Sequence, residues 1–154
     1  GKAQMTISHV LTNTGKKDIV TEVFCHNFLT IDPGSANLVI TAPFQWSAVE
    51  PFQPELVKLD GNTIRYLAPI PKGVTTQSLL TGFGDKASDY DFTITNIKTG
   101  FGQRIRADVP PSKINMWSIP ATYSLEPYVA ISLKPGQTKR WTYTYDFFGP
   151  GEKP

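Results

Sequence analysis

Apolar and polar residues exchange places every second position along most of this chain. Near one end, Trp141, Tyr143, Tyr145 and Phe147 alternate with Arg140, Thr142, Thr144 and Asp146. That period of two marks a strand with one buried face and one wet face. Near the other end, Met5, Ile7, His9 and Leu11 face away from Thr6, Ser8, Val10 and Thr12. The same reading predicts strands over 19–31, 38–42, 57–59, 63–67, 90–96, 103–108, 113–118 and 129–133. Turn chemistry punctuates them: Asn13-Thr14-Gly15, Asp60-Gly61-Asn62, Lys98-Thr99-Gly100 and Lys134-Pro135-Gly136. Each supplies a residue that tolerates φ > 0 or presets φ, and Asp60-Gly61 between short apolar runs is a hairpin signal.

No stretch sustains a helical period without Pro or Gly; one short helical turn is expected around 86–89. Many short strands at close spacing give an all-β, antiparallel β-sandwich rather than a βαβ fold. The predicted organisation is a β-sandwich domain over 1–148 and a Gly/Pro-rich tail over 149–154 that frays. Residues 42–54 read as a long irregular connection whose Phe44, Trp46 and Phe52 pack on the sandwich or border a groove.

Composition narrows the functional classes. The chain has 154 residues, 40% of them hydrophobic, enough for a packed core. A formal net charge of +2 with scattered basic residues argues against a nucleic-acid partner. No run approaches the ~20 apolar residues a membrane-spanning helix needs, so no membrane partner is expected either. The single Cys25 has no disulfide mate and reads as an inert thiol, which leaves the compartment undecided, periplasmic or secreted locations included. With two histidines and one cysteine, no metal-ligand spacing and no phosphate loop, no cofactor is expected. Asp85, Asp89 and Asp91 read as turn and capping residues.

Two ionisable residues carry candidate chemistry. His26 shares a strand face with Glu22, Phe24 and Phe28, where an imidazole is either a hydrogen-bonded structural histidine or a general acid/base. Glu126, between Leu125 and Pro127, is either an exposed loop glutamate or a carboxylate suited to act as a base. Trp46, Trp117 and Trp141 are candidates for stacking on a sugar ring, Trp141 being the weakest because its alternation reads as core.

The order of these motifs resembles the aldose 1-epimerase, or galactose mutarotase-like, superfamily. Met5 to Leu29, a strand, an Asn-Thr-Gly turn and a second strand ending His26-Asn27-Phe28-Leu29, is similar to that family's segment leading into its histidine-aromatic motif. Lys113 to Trp117 resembles a tryptophan-bearing strand of hexose-6-phosphate epimerase relatives. Leu125-Glu126 resembles the strand-borne glutamate, and Leu133 to Thr138 the closing turn. The resemblance covers nearly the whole chain as a C-terminal half of the family's supersandwich.

It implies a carbohydrate-recognising unit, bacterial in its relatives, with isomerase chemistry. His26 would protonate the sugar's ring oxygen and Glu126 would take the proton from the anomeric hydroxyl, with Asn27, Trp117 and Trp46 binding the substrate. A sugar-positioning aspartate is expected between the two; Asp60 and Asp85 lie in that interval with no motif to anchor either. Nothing matches the family's N-terminal half, so the partners implied are a sugar and either that half or a second copy of the chain. The alternative is a non-catalytic carbohydrate-binding or structural β-sandwich module.

Overall fold

The computed structural model describes residues 3–30 and 36–152. Among the described residues thirteen strands build two antiparallel sheets: β1 (Gln4–Thr12), β2 (Ile19–Val23), β3 (Leu29–Thr30), β4 (Leu38–Thr41), β5 (Ser47–Ala48), β6 (Val57–Asp60), β7 (Thr63–Tyr66), β8 (Thr76–Thr81), β9 (Asp91–Asn96), β10 (Gly102–Ala107), β11 (Lys113–Ile119), β12 (Thr122–Leu133) and β13 (Thr138–Phe148). The first sheet runs β1-β13-β10-β9-β4-β7-β6. The second runs β2-β12-β11-β8-β5, with β3 also paired to β12. A 3-10 turn, Ala87–Asp89, stands where the helical turn was predicted. Asp89 serves it as a turn residue, accepting from the Gly84 and Lys86 amides.

Alternation decides which side chains meet between the sheets. From the first come Ile40, Ile64, Phe92, Ile94, Ile105, Trp141, Tyr143 and Tyr145; from the second Leu80, Ile114, Met116, Leu125, Val129 and Ile131, all buried. Each such side chain contributes about 1.5–3 kcal/mol by leaving water. Tyr66 reaches across to share a hydrogen bond with the Ser118 hydroxyl, and burial pushes its phenol pKa up. Phe147 keeps the inward side of β13 but is 45% exposed, whereas Phe148, on the opposite face of the strand, is buried.

The two sheets are tied together at one end by Asn13, which is 1% exposed. Its amide donates to the Lys17 carbonyl (2.8 Å) and the Leu133 carbonyl (2.9 Å), and its oxygen accepts from Gly15 N–H (3.0 Å). The β1–β2 turn is thereby pinned to the β12–β13 turn, an Asx-type use of the side chain.

The predicted strand over 19–31 is interrupted. β2 pairs with β12 at Val23↔Val129 and β3 pairs with it at Leu29↔Tyr123, but 24–28 forms no ladder, and Ile31 lies outside the described residues. Conversely, β12 begins at Thr122, seven positions before the predicted start, and carries Pro127 in its middle. Tyr128 accepts the Ser112 N–H on the β11 side. Strand alternation then turns the proline nitrogen towards 24–28, where no ladder needs a donor. β8 was missed because polar Thr76 and Ser78 share its inward face with Leu80. The last described residues make a turn, Gly149 N–H donating to the Glu152 carboxylate.

Candidate functional site

The outer face of the second sheet carries an unusual load of buried polar groups. Register places Lys113 beside Tyr128, Asn115 beside Glu126 and Trp117 beside Ser124 on β11 and β12, with Gln77 of β8 next to Trp117. All of these alternate with inward residues and therefore point outward. Glu126 (4% exposed), Asn115 (8%) and Ser124 (0%) are nevertheless buried.

Segment 24–28 supplies the cover. It runs alongside β12 with Phe24, His26 and Phe28 on the outer side and Cys25 and Asn27 turned in. The Phe24 ring stacks on Tyr128, with centroids 4.3 Å apart. Phe28 sits edge-on to Trp117 at 5.9 Å and stays 62% exposed. His26 lies between them, 4.2 Å from the Phe28 centroid and 5.9 Å from that of Trp117. Because the segment makes no ladder, its position rests on these ring contacts and on the polar cluster beneath.

That cluster is continuous. His26 Nδ1 is 2.7 Å from Glu126 Oε1 and 3.0 Å from Ser124 Oγ. Asn115 Nδ2 donates to Glu126 Oε2 at 2.8 Å, and Gln77 Nε2 donates to Asn115 Oδ1 at 3.3 Å. One buried carboxylate thus has both oxygens occupied, the arrangement that makes its desolvation tolerable. To one side, Lys113 Nζ pairs with Glu22 at 2.6 Å and lies 3.9 Å above the Tyr128 ring. The Lys113 bond, with help from Ser112, holds the Glu22 carboxyl below its usual range. An open depression of about 490 Å³ adjoins the cluster, lined by Glu50, Gln77, Leu79, Lys113, Asn115 and Tyr128. Its size falls within the range of small-molecule sites.

The structure gathers His26, Glu126 and Trp117 in one place. It does not gather the rest of the predicted set. Asn27 turns inward, its amide donating to the Tyr145 hydroxyl at 3.1 Å. Trp46 is 5% exposed and stacks on Phe92 in the core. Trp141 is core as well, its ring parallel to His9 at 4.8 Å. Glu126 is not an exposed loop residue but a buried strand residue. Cys25 is half-buried, and burial pushes its thiol pKa up, which suits an unreactive group. Asp60, the last residue of β6, and Asp85, in a bend, are both exposed. Among the described residues no group of three His, Cys, Asp or Glu side chains could hold a metal ion.

Sequence reasoning overlooked Asn115, Ser124, Gln77 and Tyr128. The signal was present for three of them, since Asn115 shares a strand face with Trp117, and Ser124 and Tyr128 share one with Glu126. Gln77 was hidden with the rest of β8.

No family model matches the sequence, and no curated protein does either. Solved structures do resemble the fold. A candidate aldose 1-epimerase from Klebsiella pneumoniae superposes with a TM-score of 0.70 at 13% identity, over 97% of this chain and 44% of that one. A galactose mutarotase-like protein from Lactobacillus casei gives 0.64 at 11% identity, over 93% of this chain and 58% of that one. A candidate aldose 1-epimerase from Escherichia coli gives 0.62 at 15% identity, over 96% and 57% respectively. The chain spans about half the length of the structures it resembles. The sandwich described above therefore shares its fold with about half of each of those aldose 1-epimerase-like and galactose mutarotase-like structures.

Proposed function

We propose that this chain recognises a carbohydrate on the outer face of its second sheet. The observation that carries the reading is the convergence, on one face, of a buried hydrogen-bonded polar cluster and exposed aromatic edges. Sugars offer hydroxyls to the first and apolar C–H faces to the second. Trp117 and Phe28 would flank the ligand, with His26 at the polar centre and the depression beside Asn115 receiving the rest of the ring. Asn27 and Trp46, turned inward, would not touch the sugar.

The second reading is aldose anomer interconversion, and it is favoured by one observation: a half-exposed imidazole, a group type that reaction needs, lies on this face against a buried carboxylate. Mutarotation requires a proton delivered to the ring oxygen while another leaves the anomeric hydroxyl. The other half of the family's fold, supplied by further chain or by a second copy, would complete the sugar's surroundings.

Saturation-transfer NMR against glucose, galactose and other hexoses tests the first reading, and exchange spectroscopy in the same tubes tests the second. Saturation transfer to a hexose that weakens in Trp117→Ala supports recognition. Accelerated α/β interconversion lost in His26→Ala supports turnover. No transfer to any hexose removes the carbohydrate reading for this chain.

A further inference from the structure

The contact between His26 and Glu126 constrains which atom of the pair is available for chemistry. An ionised carboxylate only accepts hydrogen bonds. Its Oε1 lies 2.7 Å from His26 Nδ1, so Nδ1 carries a proton, and Ser124 Oγ at 3.0 Å accepts a second share of it. In the neutral ring the lone pair then sits on Nε2. No hydrogen bond from a described residue reaches Nε2, and the His26 side chain is 45% exposed. Glu126 is differently placed: its side chain is 5% exposed, and its second oxygen is held by Asn115, itself braced by Gln77. A group buried this way with both oxygens engaged is poorly placed to reach a ligand hydroxyl.

We propose that Glu126 acts through His26 rather than on the ligand. It fixes His26 in the Nδ1–H tautomer, with Asn115 and Gln77 as positioning residues behind it, and Nε2 is the atom the face presents. Neutral, Nε2 accepts a hydrogen bond from a ligand hydroxyl. Protonated, with the carboxylate stabilising the imidazolium, it donates its proton to an ether or ring oxygen and returns to the Nδ1–H form. The tautomer assignment rests on geometry alone; the identity of the ligand oxygen rests on the carbohydrate reading.

The test is long-range proton–nitrogen correlation NMR on the full chain labelled with nitrogen-15 in histidine, at a pH where the ring is neutral. His26 should show an unprotonated Nε2 and a protonated Nδ1, with that tautomer in excess by about tenfold or more, as a charge-assisted hydrogen bond imposes. A protonated Nε2 in the wild-type chain overturns the proposal. Glu126→Ala should collapse the excess towards an even mixture, and Asn115→Ala should reduce it while leaving both members in place. An unchanged tautomer ratio in Asn115→Ala and in any folded Glu126→Ala chain also overturns it. Where a hexose binds, its addition should move the Nε2 resonance and spare Nδ1; the reverse would refute the ligand clause while leaving the tautomer result to stand or fall separately.

Discussion

Asn13 offers the sharpest test of how the sandwich is held, because one side chain closes two turns. Asn13→Ala removes the donor from the Lys17 and Leu133 carbonyls and the acceptor from Gly15 N–H, all at a position 1% exposed. A net hydrogen bond contributes about 1 kcal/mol, and a buried group left unpaired costs about 1–3 kcal/mol, so the loss should be about 3 kcal/mol. For a chain of this length each kcal/mol moves Tm by about 2–4 °C, giving a fall of about 6–12 °C by circular dichroism. Asn13→Asp sharpens the test. It preserves shape and the bond from Gly15, but sets carboxylate oxygen against two carbonyl oxygens. The introduced carboxyl should therefore have its folded pKa raised above the unfolded value of about 3.9. Its stability is complete below that unfolded pKa and is lost as pH rises through the folded pKa, so this variant should recover relative to wild type on acidification. An Asn13→Ala chain melting within about 2 °C of wild type would refute the reasoning, since that is less than a single net hydrogen bond yields.

Other expectations follow from single contacts. Tyr66→Phe leaves the Ser118 hydroxyl unpaired in the core and should cost about 1–3 kcal/mol in urea denaturation, part of it recovered in the double variant with Ser118→Ala. Gly102→Ala would drive a methyl group into the Ile94 carbonyl and the Phe148 ring, destabilising by about 1–3 kcal/mol on the same assay. The Gln4 amide and Arg106 hold the Asp146 carboxyl below its usual range, and Lys113 and Ser112 do so for Glu22. Their contribution is present above the unfolded values of about 3.9 and 4.3 and is lost as pH falls through the folded ones, so urea midpoints should drop between pH 6 and pH 3, less so in Asp146→Asn. Should a hexose bind, Trp117→Ala should weaken it by about tenfold, as the loss of one aromatic contact implies.

The long alternating strands were legible because one face of each is uniformly apolar. Trp141, Tyr143 and Tyr145 went inward as their pattern requires, and Asp60-Gly61 closed a hairpin between β6 and β7. β8 was not legible, since the buried hydroxyls of Thr76 and Ser78 erase the contrast between faces. Glu126-Pro127 hid half of β12, because a proline in a run normally argues against a central strand and only the unladdered 24–28 permits it. The same break decides the site. His26 was conspicuous among aromatics, and its face with Glu22, Phe24 and Phe28 was read correctly. That Ser124, 98 residues along the chain, and Glu126 just beyond it would lie within hydrogen-bond distance of His26 depends on register that no local pattern encodes. Trp46 and Asn27 misled for the opposite reason: composition marks an aromatic or an amide as a binding group, but only packing says which way it points.

β1 is an outermost strand, and its pairing with β13 has a spectroscopic consequence. Phe147 N–H bonds the Ala3 carbonyl and Asn13 N–H the Gln137 carbonyl. Odd-numbered positions from Met5 to Leu11 therefore exchange bonds with β13. The amides of Thr6, Ser8, Val10 and Thr12 face outward, along a nine-residue edge bearing neither charge nor proline. Deuterium should enter those four sites rapidly and the odd ones slowly, a sawtooth along one strand. Any chain that came to lie beside β1 would fill in the fast positions and leave the slow ones as they were, so the sawtooth records, residue by residue, whether that edge is in use.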